Sequence, residues 1–325
     1  MGTPDVTDLP SRVSINEEGP REGFQIEKGP IATADKVALI EALAATGLRH
    51  IQVASFVSPK LVPGWADAEA VVGGFAPREG VDYTALWFNA AGLERALAFR
   101  DRLSVTGSIS LSASEAFSRR NLNRDRQGNI EAMRKQTAAH LAAGVPVRRL
   151  GIMAAFGCNF SGEVTPAQVF TAIEDGLLIA REAGVTLERL SLADTMGWAN
   201  PVQVERLVGE VRSRWPELAL TLHLHDTRGM AVANALAALR MGVASFDATV
   251  GGLGGCPFAA HPGAPGNIAS EELAMLCEEM GIETGIELDA LIEAGHLAER
   301  IVGHPLPSAL LRGGSLRALR AKVAA

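Results

Sequence analysis

Three cysteines in 325 residues, Cys158, Cys256 and Cys277, are too few and too scattered for a disulfide framework, and they point to a reducing cytosol. An excess of positive charge is also missing. Lys and Arg number 30 against 37 Asp and Glu, giving a net charge of −7. Such a chain does not attract polyanions in bulk, which excludes nucleic acid and anionic membrane surfaces as partners. No apolar run reaches the roughly 18 residues of a transmembrane helix. The start, MGTPDVTDLPSR, lacks the basic region and apolar core of a signal peptide. Val6 stands where myristoylation requires Ser or Thr. No G-x-G-x-x-G follows the first strand-like segment, and the P-loop lysine is absent, so a dinucleotide fold and a nucleotide cradle are both excluded. The expectation is a cytoplasmic globular protein.

What the chain does have is a regular alternation. Short β-branched runs predict eight strands, beginning near Arg12, His50, Tyr83, Leu103, Arg148, Arg189, Leu218 and Ser245. Segments with apolar residues at i, i+3, i+4 and i+7 fall between them and predict helices. One opens at Thr33 as N-cap and stops at Gly47; another starts at Asn200-Pro201. Eight strands alternating with helices over about 250 residues predict an α/β fold, a (β/α)8 TIM barrel. The barrel is expected over about residues 12–280, with a C-terminal helical extension over about 281–325, all within a single domain.

The stretch TLHLHDTRGM places His223 and His225 two residues apart. On a strand such residues share one face. At the end of the seventh strand of a barrel, that face is the reaction face. Two converging imidazoles there make a partial site for a divalent metal, against the plainer reading of two hydrogen-bonded interior histidines. Other polar groups occupy equivalent positions. NEEGPREGFQ after the first strand carries Glu17, Glu18, Arg21, Glu22 and Gln25. Asp194 follows the sixth strand, and GGLGGCPFAAHPGAPGN after the eighth carries Cys256, His261 and Asn267. A mixed oxygen and nitrogen set suits Mg2+, Mn2+ or Zn2+ and lacks the thiolates of a closed structural zinc site. Cys256, on a glycine-rich loop, can exchange a proton with a carbon acid. Cys277 lies in a helical apolar stripe and reads as core.

The stretches EEGPREGFQ, ASFVSPKLVP, SASEAF, GCNFSGEVTP, LSLADTMG, HLHDTRGMAVAN and GGLGGCPFA…GAPGNIASEEL together resemble the 3-hydroxy-3-methylglutaryl-CoA lyases. The resemblance runs from residue 13 to about residue 280 in the family's order. It implies a metal-dependent barrel that cleaves a 3-hydroxyacyl-CoA by a retro-Claisen reaction to acetyl-CoA and a keto acid. It further implies that Glu22, His223, His225 and Asn267 hold the metal, that Arg21 neutralises the developing enolate, and that Cys256 is the catalytic thiol. Glu22, His225 and Asp194 join the expected catalytic set, and Arg21, Ser55 and Arg228 are expected to bind an acyl-CoA substrate. The resemblance also implies a homo-oligomer.

The chain departs from the family pattern at several places. The family's R-D-G aspartate is Glu22, whose extra methylene adds roughly 1.5 Å of bond length. The strand-two acid reads Gln52. The loop with Cys256 carries an additional AAHPG segment, and Arg228 replaces a tyrosine. These changes leave open a related ester such as citramalyl-CoA, a Claisen-type synthase running the bond in reverse, or a non-catalytic barrel that binds metal or acyl-CoA.

Overall fold

The computed structural model describes residues 9–27, 29–255 and 265–324. All eight expected strands are present: β1 Ser14–Glu17, β2 His50–Ser55, β3 Asp82–Leu86, β4 Gly107–Ser112, β5 Val147–Met153, β6 Arg189–Ala193, β7 Ala219–His223 and β8 Ser245–Ala248. The helices are α1 Phe24–Ile26, α2 Thr33–Ala44, α3 Ala68–Gly74, α4 Ala90–Leu97, α5 Glu115–Leu122, α6 Arg126–Ala142, α7 Pro166–Glu182, α8 Pro201–Arg214 and α9 Ala231–Arg240. Beyond β8 follow α10 Ser270–Glu279, α11 Leu288–Val302, α12 Leu310–Gly313 and α13 Leu316–Ala324, the helical extension expected from the sequence. Strand and helix alternate along the chain as in a (β/α)8 barrel. Among the described residues no helix is long and apolar enough to cross a membrane.

The chain divides into two compact units. One is centred on Thr106–Ser245. Its strands run in the order β7-β6-β5-β4, each paired in parallel with the next. Their register aligns Leu150 with Leu190 and Leu190 with Leu220, three aliphatic side chains no more than 8% exposed. The helices of this unit start on side-chain caps. Thr165 and Gln168 form a reciprocal capping box at α7, and Asn200 and Gln203 form another at α8, each with proline in the first turn. The Asn200-Pro201 start read from sequence is therefore the observed one.

The other unit comprises Ser11–Val105, Phe246–Gly255 and the C-terminal stretch. Its strands run β3-β2-β1-β8, with a register shift in β2 between Gln52 and Ala54. Thr33 is not the cap of α2. Ala32 holds that position, and Thr33 is the first helical residue, its hydroxyl donating to Asp67 at 2.6 Å. Gly47 ends the turn after α2 where sequence places it. Its φ is +95°, and a Cβ there would lie 2.2 Å from the Gly285 carbonyl oxygen, so only glycine fits.

Candidate metal and acyl-CoA site

The unit built on β1 and β8 contains Glu22 and Asn267, the two oxygen-bearing residues that the family resemblance singles out. Directly after β1, Pro20 opens a tight helical turn over Gly19–Gly23. The Glu18 carbonyl accepts the backbone N–H of Arg21 at 3.1 Å and of Glu22 at 2.7 Å, which fixes where both side chains leave the chain. Arg21 Nε donates to Gln52 Oε1, and Arg21 Nη2 donates to Glu18 Oε2. Glu22 Oε2 lies 3.2 Å from the same Nη2. Burial works against the Arg21 charge, but the Glu18 and Glu22 carboxylates outweigh it and push its pKa up. The guanidinium is a permanent cation here.

The other oxygen of Glu22 accepts from Asn267 Nδ2 at 2.8 Å, and the same amide group donates to the Leu253 carbonyl at 3.2 Å. Asn267 is 1% exposed, and its Oδ1 has no hydrogen-bond partner among the described residues. A buried amide oxygen without a donor is costly. Gly254 permits this approach: with φ at +84°, an added Cβ would sit 3.0 Å from Asn267 Nδ2 and 3.2 Å from Glu22 Cγ. Ser55, at the end of β2, is fully buried, and its hydroxyl has no hydrogen-bond partner among the described residues.

In the unit built on β4 to β7, His223 and His225 project from the end of β7 while Leu222 and Leu224 are fully buried on the opposite face. The two Nε2 atoms are 3.2 Å apart, with ring planes 64° to one another. Alternation along the strand thus brings both imidazoles together as expected. Asp194, after β6, is 1% exposed. Its Oδ1 accepts from the backbone N–H groups of Trp198 and Ala199 at 2.7 and 3.1 Å, and its Oδ2 has no hydrogen-bond partner among the described residues. Burial raises its pKa, partly offset by His225, by those two N–H groups and by His223. Arg228 reaches back with Nη1 to the carbonyls of Met196 and Gly197, at 3.2 and 2.7 Å. It therefore holds the loop that follows Asp194. Cys158 is a buried free thiol that accepts from Phe160 N–H at 3.4 Å. A cavity of about 180 Å³ in the same unit, lined by Leu111, Ser118, Arg126, Asn129 and Asp175, includes none of the expected site residues. Cys256 and His261 lie outside the described residues.

Two buried acids carry a role that sequence reasoning missed. Glu17 Oε1 accepts from Gly19 N–H and Val250 N–H, both at 2.8 Å, and its Oε2 accepts from the Ser270 hydroxyl at 2.5 Å. Both oxygens of Glu271 accept from Gly251 N–H, at 2.9 and 3.0 Å. Burial pushes Glu17 up to about 7 and Glu271 up to about 8. Together they pin the turn Val250–Gly252, the stem of the glycine-rich loop. The available signal was weak: Glu17 ends the short strand Ser14-Ile15-Asn16-Glu17, and Glu271 is one of two adjacent glutamates in the first turn of α10.

Comparison with known proteins gives a consistent result. Residues 12–298 match the model of the HMGL-like family. A Pseudomonas aeruginosa protein named 3-hydroxy-3-isohexenylglutaryl-CoA/hydroxy-methylglutaryl-CoA lyase is 40% identical over 296 residues, 91% of this chain and 94% of that protein. The crystal structure of the Bacillus subtilis HMG-CoA lyase is 38% identical with a TM-score of 0.85, covering 94% of this chain and 98% of that one. An Acinetobacter HMG-CoA lyase in complex with coenzyme A and 3-methylmalate is 37% identical with a TM-score of 0.82, covering 97% and 98%. The fold of this chain is that of these barrels.

Proposed function

The chain belongs to the HMGL-like family, and on that footing we propose that it is a divalent-metal-dependent carbon–carbon lyase for a 3-hydroxy-3-methylglutaryl-CoA-like thioester, releasing acetyl-CoA and a keto acid. The observation that carries this reading is the Asn267 amide, held by Glu22 and Leu253 on its nitrogen while its buried oxygen has no donor among the described residues. An oxygen in that state suits a cation. The donor set fits as well. Glu22, His223 and His225 each offer one ligand atom, and with Asn267 they make two oxygens and two nitrogens, a set for Mg2+, Mn2+ or Zn2+. These four residues would hold the ion. When bound, the ion supplies Lewis acidity that eases loss of the substrate's 3-hydroxyl proton and anchors its distal carboxylate.

The remaining chemistry falls to side chains. Asp194 Oδ2, which has no hydrogen-bond partner among the described residues, takes the 3-hydroxyl proton. The C2–C3 bond breaks, C3 becomes the ketone, and the electron pair passes to C2 and the thioester oxygen as an enolate. Arg21 has Nε and Nη2 occupied, while Nη1 forms no hydrogen bond among the described residues. That nitrogen donates to the enolate oxygen. The Cys256 thiol returns a proton to C2, completing acetyl-CoA. Ser55 and Arg228 contact the acyl-CoA. The free thiols of Cys158 and Cys277 fit a reducing compartment; self-association is part of the same reading.

The test is a panel of thioesters: 3-hydroxy-3-methylglutaryl-CoA, its 3-isohexenyl analogue and citramalyl-CoA. Acetyl-CoA release is expected from at least one, abolished by exhaustive chelation and restored by Mg2+ or Mn2+. Release from none, or release that survives metal removal, overturns the proposal.

A further inference from the structure

Arg21 is surrounded by three polar side chains of unequal kind. Glu18 is 3% exposed and the Arg21 side chain 12% exposed, so their ion pair is shielded from solvent. Glu18 Oε2 takes the Nη2 edge of the guanidinium, and Gln52 Oε1 takes Nε. Gln52 Nε2 donates in turn to Glu18 Oε1 at 3.4 Å, closing a ring of three side chains. A planar guanidinium held at Nε and Nη2 has no rotation left, and its Nη1 edge has a fixed direction.

Glu22 also approaches Nη2, at 3.2 Å, but its Oε1 is engaged by Asn267. In the function proposed above, Glu22 belongs to the cation, and a carboxylate committed to a cation lends little field to a neighbour. We propose that Glu18 is the positioning residue for Arg21: its buried carboxylate sets the guanidinium, and the neutral amide of Gln52 fixes the second edge without adding charge. This inference rests on the role assigned to Arg21 in that function. It explains why a neutral residue stands at 52. With acids at 18 and 22 already facing one cation, a third at 52 would place three carboxylates around a single guanidinium in a dry site.

The experiment exchanges the charge. Glu18→Gln keeps the shape and one acceptor and removes the ion pair. Its kcat is expected to fall on the order of 10–100-fold, the scale of a misplaced catalytic group. KM should stay within about twofold, as befits a group that matters in the transition state. Glu18→Gln/Gln52→Glu returns a carboxylate to the ring, and most of the lost kcat should return with it. A second readout needs no turnover: the Arg21 Nε–Hε resonance should be sharp in the parent protein, broadened in Glu18→Gln and sharp again in the double variant. An unchanged kcat in Glu18→Gln, or a folded double variant that recovers neither kcat nor the sharp resonance, overturns the proposal. A parent protein that cleaves no thioester refutes the function instead, and the resonance alone then decides the role of Glu18.

Discussion

At the scale of the residue, the departure from aspartate to Glu22 is decisive because both of its oxygens are engaged. Oε1 meets the Asn267 amide at 2.8 Å, and Oε2 lies 3.2 Å from Arg21. Shortening the side chain by roughly 1.5 Å cannot keep both contacts. Glu22→Asp is therefore expected to lower Mn2+ affinity and turnover together by about tenfold or more, the scale seen when support around a metal ligand is lost. Calorimetric titration of Mn2+ beside steady-state kinetics checks this, and a variant with equal or better affinity would show that the longer side chain is merely tolerated. At this scale the sequence was most informative where chemistry is local. The alternation of a strand puts His223 and His225 on one face, and the structure shows both there. Sequence listed Glu18 among the polar groups of its loop without a task. Its partners Arg21 and Gln52 come from different elements, and no spacing rule reports a contact between residues 34 apart.

At the scale of the element, the turn after β8 depends on two acids from elsewhere in the chain. Glu17 closes β1 and Glu271 opens α10, and both accept backbone N–H groups of Val250–Gly252. Burial raises Glu271 from 4.5 to about 8, with Glu17 and Glu272 adding repulsion. A carboxyl whose folded pKa is raised binds its proton more tightly in the native state, so its stabilising contribution is full at pH values below 4.5. That contribution is lost progressively as pH climbs to about 8. Glu17, raised to about 7, acts in the same direction over a narrower window. Glu271→Gln should flatten the decline of Tm between about pH 5 and 9 without removing it, because Glu17 still titrates. Thermal unfolding of both proteins across that range is the check, and parallel curves would contradict it. The elements themselves were legible because hydrophobic period, Pro and Gly act locally: all eight strands and the α8 start at Asn200-Pro201 follow from them. The Glu17 and Glu271 clamp was not, since it joins residues more than 230 positions from one another in sequence to a shared turn. The cap of α2 was missed for a related reason, because Thr33 spends its hydroxyl on Asp67 rather than on the helix.

At the scale of the whole molecule, the charge balance and the absence of a nucleotide loop narrowed the expected classes of partner, the sparse cysteines argued against a disulfide framework, and the ordered set of motifs from residue 13 onward pointed to the family. The match over residues 12–298 agrees with that extent. The proposal most open to test is that Glu22, His223, His225 and Asn267 bind one divalent cation. Anomalous diffraction from crystals grown with Mn2+ tests it most directly. One strong peak is expected, bonded to Glu22, His223, His225 and Asn267 Oδ1. A peak bonded elsewhere, or one that contacts the histidines without Glu22 and Asn267, would contradict the assignment.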